Sequence, residues 1–216
     1  MPSNLSMLEA STLSCAGLTA WNALYGPADN QIKAGDWVLT QGTGGVSIFA
    51  LQFAKAAGAR VVATTGSNEK IATLKRLGAD YIINYKETHE WGAEAKRLTG
   101  GQGFDHIIEV AGPASMAQSL DAIKINGVIS IVGFVGGDSS GKDQPSFLEC
   151  LRKQCTARGI GIGSRVQMED MCRAIEANPA KLRPLVDKTF PLEQVKEGLE
   201  YLYAGKHFGK VCIDIQ

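Results

Sequence analysis

The sequence predicts an α/β fold: a doubly wound parallel sheet of six strands with helices on both faces, beside an incomplete second domain formed by the N- and C-terminal segments. Three observations predict it. Short apolar runs and amphipathic helical segments alternate six times between Trp37 and Ile162. Most of the 25 glycines fall where those segments meet, as an alternating fold requires. The first apolar run, Trp37 to Leu39, leads into the glycine cluster Gly42-Thr43-Gly44-Gly45, and a helical pattern starts directly after it.

Ahead of that run, Leu5 to Glu9 reads as a helical turn, and Cys15 to Leu24 as a helix apolar on one side, ending near Gly26-Pro27. Residues 1–30 are thus a linker, and Ile32 to Asp36 is a turn into the first strand. Val46, Phe49, Ala50, Phe53, Ala54 and Ala57 then recur at helical spacing until Gly58. Arg60 to Thr64 is the second strand, one helix beyond the first, which fits a right-handed parallel crossover. Ser67 or Asn68 can cap the next helix, whose face carries Ile71, Leu74 and Leu77 up to Gly78. Tyr81 to Asn84 is strand three. Thr88 to Leu98 is an amphipathic helix with Trp91, Ala95 and Leu98 inward. Phe104 to Val110 is strand four, Met116, Leu120 and Ile123 mark a helix, and Gly127 to Val132 is strand five. The polar loop Gly136 to Pro145 is long enough to be mobile or to cover a ligand. A helix from Phe147 to Gln154 leads to strand six, Thr156 to Ile162, and closes a sheet domain over residues 31–164. In residues 165–216 the pattern changes. A helix carrying Met168, Met171, Ile175 and Cys172 stops near Asn178-Pro179, and two further strands, Leu185 to Phe190 and Lys210 to Ile215, flank a helix with Val195, Leu199 and Leu202.

Composition excludes several classes. Lys+Arg and Asp+Glu are both 22, so nothing in the charge balance points to nucleic acid or an acidic membrane. No apolar run approaches the ~18 residues of a membrane span, and the first thirty residues lack a signal-peptide pattern. Five cysteines with no C-x-x-C pair fit reduced thiols in the cytosol.

Strand, glycine turn and helix form the first unit of a dinucleotide-binding (Rossmann) fold. Gly42 permits the tight turn, Thr43 follows it, Gly44 lets the backbone approach a pyrophosphate, and Gly45 leads to Val46, where the helix start offers N–H groups and a positive dipole end. Ser47 replaces the third glycine of G-x-G-x-x-G. An acid that would bond a ribose 2′-hydroxyl belongs near Thr65, and no carboxylate is there. Thr65, Gly66 and Ser67 offer hydroxyls and N–H donors, with Lys70 close by, which suits a 2′-phosphate and hence NADP(H). The alternative acid, Glu69, falls inside the next helix. Further contacts belong at strand C-termini: Val110, Ala111 and Gly112; Val132, Gly133 and Phe134; and Ile160, Gly161 and Ile162.

The stretches LSCAGLTAWNAL (13–24), QGTGGVSIFALQFAKAAG (41–58), LGADYIINYKE (77–87), FDHIIEVAG (104–112) and GKHFGKVCI (205–213) resemble the medium-chain dehydrogenase/reductase superfamily, in its zinc-independent alcohol dehydrogenase and quinone oxidoreductase branch. The resemblance implies that Lys70 and Tyr85 serve the 2′-phosphate, that residues 132–134 and 160–162 flank the nicotinamide, and that the Thr19 hydroxyl lies against it. It also implies an N-terminal catalytic barrel that does not precede this segment, with residues 165–216 as the later part of that domain. Cys15 matches one zinc-ligand position of zinc-dependent relatives, but with no visible partner it reads as a buried thiol, and no metal is expected. The function expected is metal-free hydride transfer with NADP(H) to or from a carbonyl, alcohol or activated C=C. The alternatives are an NADP(H)-binding module with little turnover and non-redox catalysis on the same fold. In a doubly wound order the last strand is an edge, and the resemblance implies that the strand at 156–162 pairs with a second copy in a homodimer.

Overall fold

The computed structural model describes residues 1–137 and 144–215. Six parallel strands form one sheet in the order β3-β2-β1-β4-β5-β6. They are β1 (Trp37–Gln41), β2 (Arg60–Thr65), β3 (Tyr81–Asn84), β4 (Phe104–Glu109), β5 (Ile123–Ile131) and β6 (Thr156–Gly159). The order reverses between β1 and β4, which opens a crevice at their C-terminal ends. Alternation along the strands divides the core. Val38, Val61, Ala63 and Ile108 face α2 (Leu18–Tyr25) and α3 (Gly45–Ala56), while Leu39, Val62, Ile107 and Ile129 face the side of α5 (Trp91–Leu98) and α6 (Met116–Ala122). After the short helix α1 (Met7–Ser11), every residue from Leu18 to Leu24 is buried, because α2 packs against both α3 and α8 (Arg165–Ala177).

The two late strands, β7 (Val186–Pro191) and β8 (Lys210–Asp214), pair in parallel with each other and stay outside the main sheet. The helix between them, α9 (Val195–Tyr203), leaves Val195, Leu199 and Leu202 exposed. An isolated parallel bridge, Gly44 to Gly209, links this unit to the glycine turn. Among the described residues no helix is long and apolar enough to cross a membrane.

Several boundaries differ from the sequence reading. Helix α5 begins at Trp91 rather than Thr88. Asn84 competes for that turn: its Oδ1 accepts from the Lys86 N–H (3.1 Å), and its Nδ2 donates to Asn68 (2.7 Å) and Glu87 (3.0 Å). Ser67 makes no side-chain cap; residues Asn68–Lys70 form a 3₁₀ turn ahead of α4 (Ile71–Arg76). Ile123 starts β5 instead of ending a helix. Asn126, at φ 62°, lies where the β4–β5 register shifts, so the Asn-Gly pair sits within the strand as an irregularity. Strand β6 stops at Gly159, three residues short of the reading, and Ile162 at φ 67° turns the chain away. The helix before it, α7, spans Leu148–Lys153. Cys15 is exposed, not buried: the π-helical turn Leu13–Gly17 directs Leu13, Ala16 and Gly17 inward and leaves Cys15 outside. Of the long loop read at 136–145, residues 138–143 lie outside the described residues.

Candidate dinucleotide site

The crevice starts from the end of β1. Gly42 adopts φ 74°, and its N–H donates to Thr64 O (2.9 Å). A Cβ on Gly42 or on Gly44 would meet no heavy atom within 4 Å, so the turn is open on the side where a ligand backbone would lie. Gly44 is the extended N-cap of α3 and supplies no side-chain cap to the first N–H groups. Ser47, in place of the third glycine, is buried and donates its hydroxyl to Gln41 O (2.6 Å), closing the turn from within. Close packing falls to Gly45 instead: a Cβ there would lie 2.6 Å from Lys210 Cδ and 3.1 Å from Ala16 Cβ. Val46 follows in the first turn of α3, partly buried against the core.

At the end of β2, Thr65 is buried and its Oγ1 accepts from the Ser67 N–H (3.2 Å). Tyr85 crosses this strand end. Its N–H donates to Thr65 O (3.0 Å), and a Cβ on Gly66 would lie 2.5 Å from its hydroxyl oxygen and 3.2 Å from Lys86 Cε. Lys86 is thus a second cation at this position that the sequence reading did not single out; its signal was adjacency to Tyr85. Glu69 is exposed on the following 3₁₀ turn. The Lys70 ammonium is already engaged, donating to Thr43 Oγ1 (3.0 Å), Gly205 O (3.0 Å) and His207 O (2.9 Å), with the Phe208 ring 5.0 Å away. Burial pushes its pKa down, and Asp187 opposes that. Lys70 therefore ties the glycine turn to the loop before β8, where Gly209 N–H also bonds Thr43 O (2.9 Å).

The ends of β4 and β5 are zipped together. Val132, Val135 and Gly136 N–H groups donate to Glu109, Val110 and Ala111 carbonyls. Gly112, at φ 76°, leaves room for Phe134, whose Cα would be 3.0 Å from a Cβ on residue 112; a Cβ on Gly133 would lie 3.0 Å from Val110 O. Phe134 itself is 80% exposed. Beyond β6, Ile160 N–H still bonds Ile131 O (2.9 Å), Gly161 has open space where a side chain would be, and Ile162 O accepts from Asn22 Nδ2 (2.8 Å). Thr19, buried at 6% exposure, lies one turn before Asn22 on α2. The structure thus gathers residues 42–46, 65–67, 85, 110–112, 132–134 and 160–162 at the C-terminal ends of one parallel sheet.

Sequence reasoning missed the polar cluster beneath these loops: Gln41, Glu109, Ser115 and Ser119, all buried. The available signal was a glutamate closing the apolar run of β4. Among the described residues no three His, Cys, Asp or Glu side chains converge, and Cys15 stands exposed. The open glycine cradle fits a dinucleotide.

Residues 45–177 match a family model described as zinc-binding dehydrogenase. The chain is 45% identical over 215 residues to a zinc-type alcohol dehydrogenase-like protein of Schizosaccharomyces pombe, covering 99% of this chain and 62% of that protein. Among solved structures, an NAD-dependent alcohol dehydrogenase superposes with a TM-score of 0.86 at 35% identity, covering 100% of this chain and 61% of the other. The quinone oxidoreductase of Thermus thermophilus, solved alone and with NADPH, superposes at 0.82 with 26% identity, covering 100% and 69%. The chain spans about 60% of the length of the curated relatives it matches.

Proposed function

The chain belongs to the zinc-binding dehydrogenase family of the medium-chain dehydrogenase/reductase superfamily, and on that premise we propose that it binds NADP(H) and serves hydride transfer to or from a carbonyl, alcohol or activated C=C substrate without a metal. The observation that carries this reading is the open glycine turn at the β1–β4 switch point, leading straight into the uncapped N-terminus of α3. The nicotinamide cofactor supplies the hydride chemistry when bound. The chain's own residues bind and orient. The turn and α3 hold the pyrophosphate, and the loops 110–112, 132–134 and 160–162 shape the space beside β4, β5 and β6. Thr19 is the hydroxyl proposed to face the reacting ring.

The preference for a 2′-phosphate rests on the end of β2, where Thr65, Gly66, Ser67 and Tyr85 meet with Lys86 beside them, while the neighbouring Glu87 carboxylate is held by Asn68 Nδ2 (2.6 Å) and Asn84 Nδ2 (3.0 Å). Lys70 adds positive charge against the turn, although its ammonium must give up an internal acceptor to reach a phosphate. The test is titration of the chain with NADPH and NADH, followed by Lys70→Ala and Lys86→Ala. NADPH is expected to bind more tightly than NADH. Loss of one charge-assisted contact, about 1.5–3 kcal/mol, weakens NADPH by tenfold or more and leaves NADH nearly unchanged. Equal loss for both cofactors in both variants would show that neither lysine reads the 2′-phosphate. Oxidation of NADPH in the presence of aldehydes, quinones and enones then tests turnover.

A further inference from the structure

Glu109, the last residue of β4, has 0% exposure, and among the described residues none of the groups that hydrogen-bond its carboxyl is a cation. Its Oε1 accepts from Ala111 N–H (3.0 Å), Gly112 N–H (2.9 Å) and the Ser115 hydroxyl (2.5 Å). Its Oε2 accepts from Gln41 Nε2 (2.8 Å) and the Ser119 hydroxyl (2.5 Å). A buried carboxyl is costly unless its oxygens are fully hydrogen-bonded, and here five donors do that. Gln41, 4% exposed, is equally committed: Nε2 also donates to Ser119 Oγ (2.9 Å), and Oε1 accepts from Val110 N–H (3.1 Å), with Ala111 N–H and Ser115 Oγ at 3.4 Å.

The placement follows from the register. Thr40 pairs with Ile108 on the neighbouring strands, so the next residues, Gln41 and Glu109, share the opposite face, the one covered by α6. Ser115 and Ser119, four residues apart at the start of α6, present their hydroxyls to it. The N–H groups satisfied are those of Val110, Ala111 and Gly112, which come after the β4 ladder ends. Gln41 meanwhile immediately precedes Gly42, and its carbonyl is held by Ser47.

We infer that Gln41 and Glu109 are a buried positioning pair, which locks the glycine turn after β1 and the 110–112 loop after β4 into one unit before a nucleotide arrives. Its purpose rests on the nucleotide reading above; its geometry does not. Loops ordered in advance spare the bound state that ordering cost, so breaking the pair acts on affinity as well as on loop order.

The test uses Glu109→Gln, Gln41→Glu and the double swap, each first checked for folding by thermal melting. In Glu109→Gln an NH₂ group stands where an oxygen accepted: it meets either the Gln41 NH₂ or the Ala111 and Gly112 N–H groups, and only the serine hydroxyls can turn to accept from it, whereas the swap restores a donor facing an acceptor across the pair. Amide hydrogen exchange at Val110, Ala111 and Gly112 is measured without nucleotide, and NADPH affinity by titration. Each single variant is expected to speed exchange at those three amides and weaken NADPH about tenfold, and the double swap to recover most of both. Unchanged exchange at 110–112 in folded Glu109→Gln overturns the inference. So does a double variant no better than the singles, or a fall in melting temperature with NADPH affinity intact. If Glu109→Gln does not fold, Ser119→Ala, which removes one donor, is read the same way. If the unaltered chain binds neither NADPH nor NADH, the nucleotide reading fails, and the exchange measurement still decides the pairing.

Discussion

Gly42 and Gly44 separate backbone strain from ligand contact, and substituting each by alanine distinguishes the two. Both have open space where a methyl would go, so neither variant clashes in the free protein. Their conformations differ. Gly42 sits at φ 74°, where a Cβ costs roughly 1–2 kcal/mol. Gly44 sits at φ −73° and ψ 175°, which alanine adopts freely. For a chain of this size, about 1–2 kcal/mol corresponds to a melting-temperature loss of roughly 2–8 °C. Gly42→Ala should show that loss. Gly44→Ala should stay within about 0.5 kcal/mol of the parent, or gain slightly by restricting the unfolded chain. Its methyl stands instead between the α3 N-terminus and a pyrophosphate. Losing one charge-assisted hydrogen bond there, about 1.5–3 kcal/mol, lowers NADPH and NADH affinity alike by tenfold to roughly a hundredfold. Differential scanning fluorimetry and calorimetric titration read the two effects. An unchanged dissociation constant in Gly44→Ala, or a melting loss equal to that of Gly42→Ala, would refute the reasoning.

Two other outcomes concern the buried histidine and the sheet edge. His106 is fully buried in β4; burial pushes its pKa below 6.5, and Asp36 (3.8 Å from Nε2) and Asp105 only partly oppose this, with Lys124 and Lys33 acting in the same sense as burial. The unfolded chain therefore takes up the proton first. Stability should be full above about pH 6.5, fall as the pH drops from there towards the lowered folded value, and level off below it. His106→Leu should flatten this slope, leaving the part due to His207, whose pKa burial also lowers; an unaltered melting-temperature profile between roughly pH 5 and roughly pH 7 would exclude His106 as its source. The β6 edge is exposed, as are Phe147, Leu148 and Leu151 at the start and along the helix that leads into it, and Arg158 is turned inward to bond Asn22 rather than blunting the edge. We propose a homodimer through this edge, and light scattering that finds a monomer at micromolar concentration would rule it out.

Hydrophobic periodicity alone placed all six sheet strands and the glycine turn, because period-2 and period-3.6 patterns and glycine breaks are local properties of the chain. Gly42 at positive φ and the strand-end residues 110–112 were likewise legible, since a parallel sheet presents its C-terminal ends to a ligand whatever the side chains are. Tertiary packing decided the rest. That Lys70 spends its three donors on Thr43 and the 205–207 carbonyls depends on where β8 returns, more than a hundred residues later in the sequence. That Asn126-Gly127 continues β5 instead of turning depends on Phe104 finding Ile123 across the register shift. Glu109 carries no local mark of its role. Its carboxyl finds one acceptable place, because β1 puts Gln41 beside it and α6 lays two hydroxyls over it, and only the assembled sheet brings those donors to one point.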